Sequence, residues 1–222
     1  MSRQRAGRRH RLFAWAYPRL STAMESRGAG AHRDELLAGL RGRVVEIGAG
    51  NGLNFAHYPA TVGEVIAVEP EPWLRTLAQR AAHRAPVPVH VVEGVAEHLP
   101  GADGSCDAGV VSLVLCSVAV PATALAELRR VVRPGGQLRF YEHVRADTAA
   151  MARVQDALDV VWPRLAAGCH TGRDSVAAIA DAGFVVEEVR RFRFPPGPVP
   201  VPLSPHALGR AHRREEATTG SR

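Results

Sequence analysis

A short run from Val44 to Phe55, VVEIGAGNGLNF, holds the residue types most able to form a ligand site. Its branched apolar residues and one acid, Glu46, are typical of a strand, and Gly48, Gly50 and Gly52 follow at alternate positions. Glycine tolerates positive φ and allows a ligand to approach the backbone closely. The run therefore indicates either a ligand-binding turn or a tight strand-to-helix connection without a ligand.

A second acidic residue, Glu69, favours the interpretation of the glycine run as a ligand-binding turn. Glu69 ends the next strand-like run, VIAVEPEP, at the place where a carboxylate accepts hydrogen bonds from ribose hydroxyls in nucleotide-binding folds. The dinucleotide fingerprint G-x-G-x-x-G would need a glycine where Leu53 stands. The pattern favours a nucleoside ligand, and a nicotinamide-dependent oxidoreductase stays a weaker alternative.

Strand-length apolar runs alternate with helical patterns along the chain, which predicts an α/β fold with a parallel sheet covered by helices on both faces. We expect strands at residues 43–47, 65–68, 87–92, 106–113, 137–142 and 184–193. We expect helices at residues 12–24, interrupted near Pro18, and at 32–40, 150–165 and 174–182. The RPGG sequence at 133–136 is expected to end a helix and turn the chain into the fifth strand.

The chain is expected to form one domain, residues 12–212, that begins with a helical lid. Arginine-rich residues 1–11 and polar residues 213–222 flank it and are expected to be flexible. A proline-rich connector precedes a last short segment at 206–211. Core packing of the first helix is the alternative to a lid.

Composition excludes several classes of protein. The chain has 222 residues and no lysine, which excludes a Walker phosphate loop and a pyridoxal Schiff base. No apolar run reaches the ~18–20 residues of a spanning helix, and no signal peptide is evident, so a cytoplasmic location is expected.

The net charge of +6 comes largely from terminal arginines. Solvated tails explain this distribution better than a nucleic-acid groove does, so no specific nucleic-acid partner is expected. Two alternatives stay open. The N-terminal arginines could make weak contact with a membrane surface, or the protein could be a non-catalytic nucleic-acid-binding module. Oligomeric state cannot be inferred from the sequence.

Three cysteines, Cys106, Cys116 and Cys169, are widely spaced along the chain. Their number is odd and no CxxC pair occurs, so neither a disulfide framework nor a zinc site is expected. Cys116, His143, Cys169 and His170 have the residue types of a metal site, but no ligand spacing supports one, and the sequence predicts no metal.

The chain resembles class I S-adenosylmethionine-dependent methyltransferases over residues 35–194, in EIGAGNG, the strand-ending Glu69, GVAEHLP, DGSCDAGV and RPGG before a strand. More narrowly, it is similar to the methyltransferase-like-7 family and its bacterial relatives in NFAHYP, LVLCSV, YEHV and GCHTGRDS. Those relatives include enzymes that methylate small alkyl thiols.

The resemblance implies a Rossmann-like, seven-stranded and mostly parallel sheet whose last strand is antiparallel, with S-adenosylmethionine across the ends of the first strands. It implies that Glu46 and the glycine turn contact the methionine moiety, Glu69 the ribose, and the loop holding Ala96 and Glu97 the adenine. Val95 stands where many members have an aspartate for the adenine amine. The full set of expected cofactor-binding residues is Glu46, Gly48, Ala49, Gly50, Asn51, Gly52, Glu69, Pro70, Gly94, Ala96, Glu97, Ser112 and Leu113.

Methyl transfer from a sulfonium consumes positive charge, so alignment and exclusion of water matter more than strong acids or bases. If the acceptor is a thiol, its thiolate attacks, and a nearby base raises the reactive fraction. His143 and Glu142 are the candidate catalytic residues, with a structural role as the alternative for each. The acceptor is expected to be a small molecule: a thiol by resemblance, or a lipid-like or quinone-like compound, which the apolar LVLCSV would also suit.

Overall fold

A seven-stranded sheet forms the centre of the protein, whose computed structural model describes residues 14–195 and 201–215. The strand order is β3-β2-β1-β4-β5-β7-β6. The strands are β1 Gly42–Ile47, β2 Val62–Val68, β3 Val89–Val92, β4 Cys106–Ser112, β5 Val132–His143, β6 Phe184–Arg193 and β7 Pro205–Arg213. β7 pairs antiparallel with both β5 and β6, while β1 to β5 pair in parallel, which confirms the predicted fold.

Helices cover both faces of the sheet. They are α1 at 14–24, α2 Gly30–Leu37, α3 Pro72–Ala82, α4 Pro121–Val131, α5 Ala149–Leu158, α6 Trp162–Leu165 and α7 Ser175–Asp181. A π-helical turn, Glu25–Ala29, joins α1 to α2, and a short 3₁₀ turn, Phe55–His57, follows the glycine run. Among the described residues, no helix has both the length and the apolar content to cross a membrane.

Two apolar clusters hold the layers together, one on each face of the sheet. In one of them, Leu125 and Leu128 of α4 are fully buried against β4 and β5. Gly109 of β4 makes room for this packing, because a Cβ there would lie 2.8 Å from Leu128 Cδ2. In the other, Leu36 and Leu37 of α2 are buried beside Tyr141 of β5. The apolar faces of the helices therefore fix the sheet from both sides.

Three of the differences from the sequence prediction involve prolines. β5 begins at Val132, which pairs with Cys106, earlier than the sequence indicated. The next pair with β4 joins Ala108 to Gln137, so the RPGG residues form an irregularity in the ladder, and Gly135 has a φ of 71°. The helix expected at 150–165 is two helices, with Pro163 in the first turn of α6. Helix α1 runs through Pro18 without a break. Residues 1–13, 196–200 and 216–222 lie outside the described residues. They include the expected N-terminal tail, part of the proline-rich connector and most of the expected tail at 213–222.

Replacing Leu128 by alanine tests the packing of α4. Because Leu128 is fully buried, we expect Leu128→Ala to lower the free energy of unfolding by ~2–5 kcal/mol in urea denaturation. Leu165→Ala is the matched control, since Leu165 is 63% exposed, and its effect should stay within about 0.5 kcal/mol. Equal losses in the two variants would contradict this packing.

Candidate functional site

The carboxyl ends of β1, β2, β4 and β5 meet at one edge of the sheet, and the glycine turn leaves β1 there. Gly48, Gly50 and Gly52 all have positive φ, at 64°, 57° and 80°. Added Cβ atoms would lie 2.6 Å from Val114 at Gly48 and 2.8 Å from Ala81 at Gly52. Packing within the protein therefore explains the glycines at positions 48 and 52 without a ligand.

Gly50 differs from its neighbours because its open side faces α1. A Cβ at Gly50 would lie 3.2 Å from Cε1 of Tyr17. Asn51 bonds to the same helix, donating from Nδ2 to Oγ of Ser21 at 3.2 Å. Burial raises the pKa of the Tyr17 hydroxyl. Helix α1 thus covers the glycine turn.

Glu69, at the end of β2, faces the turn as the sequence predicts. Its Oε2 accepts the backbone N–H of Gly50 at 2.8 Å, and its Oε1 accepts that of Glu71 at 2.9 Å. Burial raises its pKa, and the two backbone hydrogen bonds oppose that rise. A carboxylate has about four acceptor positions, so two remain for ribose hydroxyls.

Glu46, the acid before the turn, is 1% exposed. Its two oxygens accept hydrogen bonds from Asn54 Nδ2 at 2.8 Å and from the Tyr58 hydroxyl at 2.7 Å. Asn54 in turn accepts from the guanidinium of Arg33 in α2. Burial raises the pKa of Glu46 to about 7. This network ties the end of β1 to the segment after the glycine turn and to α2.

The remaining expected cofactor residues lie along the same edge. Pro70 is exposed beside Glu69, and Ala49 donates its N–H to the carbonyl of Val68. Gly94 follows β3, and a Cβ there would lie 2.9 Å from Val68. Ala96 is buried and Glu97 half-buried in the next loop. Val95, where other members have an aspartate, is 46% exposed.

Two residues at the end of β4 carry features that suit a ligand. The hydroxyl of Ser112 is buried and has no hydrogen-bond partner among the described residues. Leu113 has a φ of 60°, which is rare for a side chain of this type, and donates its N–H to the carbonyl of Tyr141. A buried hydroxyl without a partner is costly, so a polar ligand group beside Ser112 would stabilise it.

Glu142 lies at the end of β5 and is fully buried. Its carboxylate accepts three backbone N–H groups, from Val114 at 2.8 Å, Leu115 at 2.9 Å and Cys116 at 3.2 Å. Burial raises its pKa to about 7, and these hydrogen bonds oppose the rise. The carboxylate thus fixes the loop after β4. These contacts favour the structural alternative for Glu142.

His143, the next residue, lies between two cysteines that the sequence left far apart. Its Nδ1 is 3.6 Å from Cys116 Sγ and 3.7 Å from Cys169 Sγ, and the two sulfurs are 3.8 Å apart. The hydrogen bond between the sulfurs holds the pKa of the Cys169 thiol below its ordinary value and raises that of Cys116. We call these three side chains the cysteine–histidine cluster.

A glycine brings the two loops of the cluster together. Gly168 has a φ of 91°, and a Cβ there would lie 2.6 Å from the carbonyl oxygen of Ser117. The N–H of His170 donates to the carbonyl of Cys116 at 2.8 Å. The GCHTGRD segment thus packs against the loop after β4. Asp174 caps α7, the helix that follows, because its side chain accepts from the N–H of Ala177.

Sequence comparison agrees with this geometry. Residues 45–140 match a family model described as "Methyltransferase domain". The human thiol S-methyltransferase TMT1B is 35% identical over 181 residues, which cover 79% of this chain and 73% of the relative. Human thiol S-methyltransferase TMT1A is 34% identical over 68% of this chain and 64% of its own length. A solved SAM-dependent methyltransferase from Thermotoga maritima superposes with a TM-score of 0.67 at 21% identity, covering 92% and 99% of the two chains.

The strand order, the glycine turn and the acid at the end of β2 define a class I methyltransferase that uses S-adenosylmethionine. The residues present fit this cofactor, since Glu69 retains acceptor positions and the Ser112 hydroxyl needs a partner. Within this class, the chain belongs to the thiol S-methyltransferase family that includes TMT1B. The individual cofactor contacts stay predictions.

Gly50→Ala tests whether the glycine turn binds the cofactor. The added methyl group would point at Tyr17, so we expect at least about a tenfold loss of affinity for S-adenosylhomocysteine, or about 1.4 kcal/mol, by calorimetry. Gly104→Ala is the matched control: Gly104 has a similar φ of 63°, a Cβ there would lie no closer than 3.7 Å to Arg133, and it precedes β4 at the opposite edge. Equal affinities in the two variants would contradict a role for the turn.

Glu46→Gln tests the buried acid through pH. The raised pKa of about 7 means that the fold favours the neutral carboxyl group, so wild-type stability falls as pH rises from 4.5 through 7. The glutamine does not titrate. The variant should therefore gain stability relative to wild type by up to roughly 3 kcal/mol between about pH 5 and about pH 8 in urea unfolding. A difference independent of pH would contradict the raised pKa.

Proposed function

We propose that this protein transfers a methyl group from S-adenosylmethionine to the sulfur of a small thiol. One observation carries the proposal. The glycine turn and the loop that holds Cys116 are in direct contact, since a Cβ at Gly48 would lie 2.6 Å from Val114. The expected cofactor site therefore adjoins the buried cysteine–histidine cluster. The names of TMT1B and TMT1A, both thiol S-methyltransferases, support the same acceptor class.

The reaction makes limited demands on the protein. When bound, S-adenosylmethionine supplies an electrophilic methyl group on a sulfonium. The chain must hold an acceptor sulfur in line with it, exclude water and favour the thiolate. The apolar loop after β4, with Val114, Leu115 and Cys116 all buried, suits exclusion of water. Positive charge is consumed in the transition state, so no strong acid is required.

His143 is proposed to favour the thiolate form of the acceptor, because its ring lies half-buried beside two sulfur atoms. Glu142 is proposed as a positioning residue. Its carboxylate accepts three backbone N–H groups and so fixes the loop that carries Cys116. Helix α1 is proposed to be a lid, because Tyr17 covers Gly50. A cytoplasmic location and the absence of a specific nucleic-acid partner stay predictions from the sequence.

Labelled-methyl transfer onto a panel of small thiols, quinones, lipids and RNA tests the acceptor class. We expect methylated product, identified by mass, with the thiols, and we expect Gly50→Ala to lose transfer while Gly104→Ala retains it. Transfer to quinones or lipids without transfer to any thiol would contradict the thiol proposal. Transfer to RNA alone would contradict a small-molecule acceptor.

A further inference from the structure

The cysteine–histidine cluster has the dimensions of a metal site. Its two sulfurs and the Nδ1 of His143 form a triangle with edges of 3.8, 3.6 and 3.7 Å. Tetrahedral zinc, with Zn–S of about 2.3 Å and Zn–N of about 2.05 Å, places two sulfurs about 3.8 Å apart and each sulfur about 3.6 Å from the nitrogen. The three edges therefore match three vertices of one tetrahedron.

Backbone hydrogen bonds fix the three residues of the cluster. The N–H of Cys116 is bonded to Glu142, and its carbonyl accepts from His170. Cys169 is tied through its N–H to the carbonyl of Ala166. His143 is the last residue of β5, paired with His206 of β7. A site held by backbone contacts loses little entropy when a metal binds.

The donor set also points to an open position. Among the described residues, no fourth histidine, cysteine or acidic side chain joins the group. Two cysteines and one histidine with a free fourth vertex are a known donor set of catalytic zinc sites. Trp162 packs against the apolar group formed by Cys116, Ala166 and Cys169.

We propose that Cys116, Cys169 and His143 bind one Zn²⁺, whose fourth position takes the acceptor thiol as a thiolate. The metal site rests on geometry alone, and its role toward the acceptor rests on the proposed function. The sequence predicted no metal because the three ligands are 27, 26 and 53 residues apart. The fold supplies the proximity that the spacing along the chain does not show.

The proposed transfer moves a methyl group from one sulfur atom to another. The thiol loses its proton to solvent when its sulfur binds the metal, since a coordinated thiol is deprotonated. Its sulfur then forms a bond to the methyl carbon, and the bond from that carbon to the sulfonium breaks with its electron pair remaining on the donor sulfur. The products are a methyl thioether, S-adenosylhomocysteine and one proton. No oxidant or reductant is needed.

Titration of the reduced, full-length protein with Co²⁺ tests the metal site directly, because thiolate–cobalt charge-transfer bands and intense visible bands report a tetrahedral sulfur site. We expect one Co²⁺ per chain, displaced by Zn²⁺. Cys116→Ser and Cys169→Ser should each reduce the charge-transfer absorbance and weaken binding at least about tenfold. Cys106→Ser is the matched control, since Cys106 is also buried but lies at the start of β4.

The role of the metal is tested by adding a small thiol to the cobalt protein, which should shift the visible bands. Absence of a sulfur–cobalt spectrum in the reduced wild type, or a spectrum that both cluster variants retain, would overturn the site. Undiminished thiol methylation after removal of the metal would overturn its role toward the acceptor. A metal-binding protein that methylates no thiol would instead refute the proposed function and leave the metal site standing.

Discussion

Three buried carboxylates hold the carboxyl edge of the sheet together, and the geometry of the site depends on them. Glu69 and Glu142 accept backbone N–H groups from the loops beyond β1, β2 and β4, while Glu46 accepts from Asn54 and Tyr58. Buried N–H groups without partners are costly. Burial in turn raises the pKa of each carboxyl group. The carboxyl edge of the sheet thus combines rigid loops with carboxyl groups whose pKa lies above the ordinary value.

Rigid loops are what methyl transfer requires. The hydrogen bond from Gly50 to Glu69 joins the two strand ends where the nucleoside is expected, and Glu142 fixes the neighbouring loop that carries Cys116. Contact between Gly48 and Val114 couples the two regions. A donor and an acceptor bound on either side would be aligned by the backbone itself. Alignment of this kind supplies a large part of the catalysis of a displacement reaction.

Local patterns predicted much of this arrangement. The glycine turn and Glu69 lie together because parallel strands end at one edge, and β6 has the bounds, 184–193, that its apolar run indicated. The cysteine–histidine cluster escaped prediction because its proximity depends on Gly168 packing against Ser117, a contact between distant segments. The start of β5 at Val132 was missed because its pairing with Cys106 precedes the irregular RPGG residues, while the regular ladder begins at Gln137, where the strand was predicted.

The central claim is that the nucleoside lies between Glu69 and the glycine turn with its sulfur directed at the cysteine–histidine cluster. A crystal structure of the protein with S-adenosylhomocysteine tests it most directly. The account predicts ribose hydroxyls on the carboxylate of Glu69 and the donor sulfur facing Cys116, Cys169 and His143. A nucleoside bound elsewhere, or one whose sulfur points away from the cluster, would contradict it.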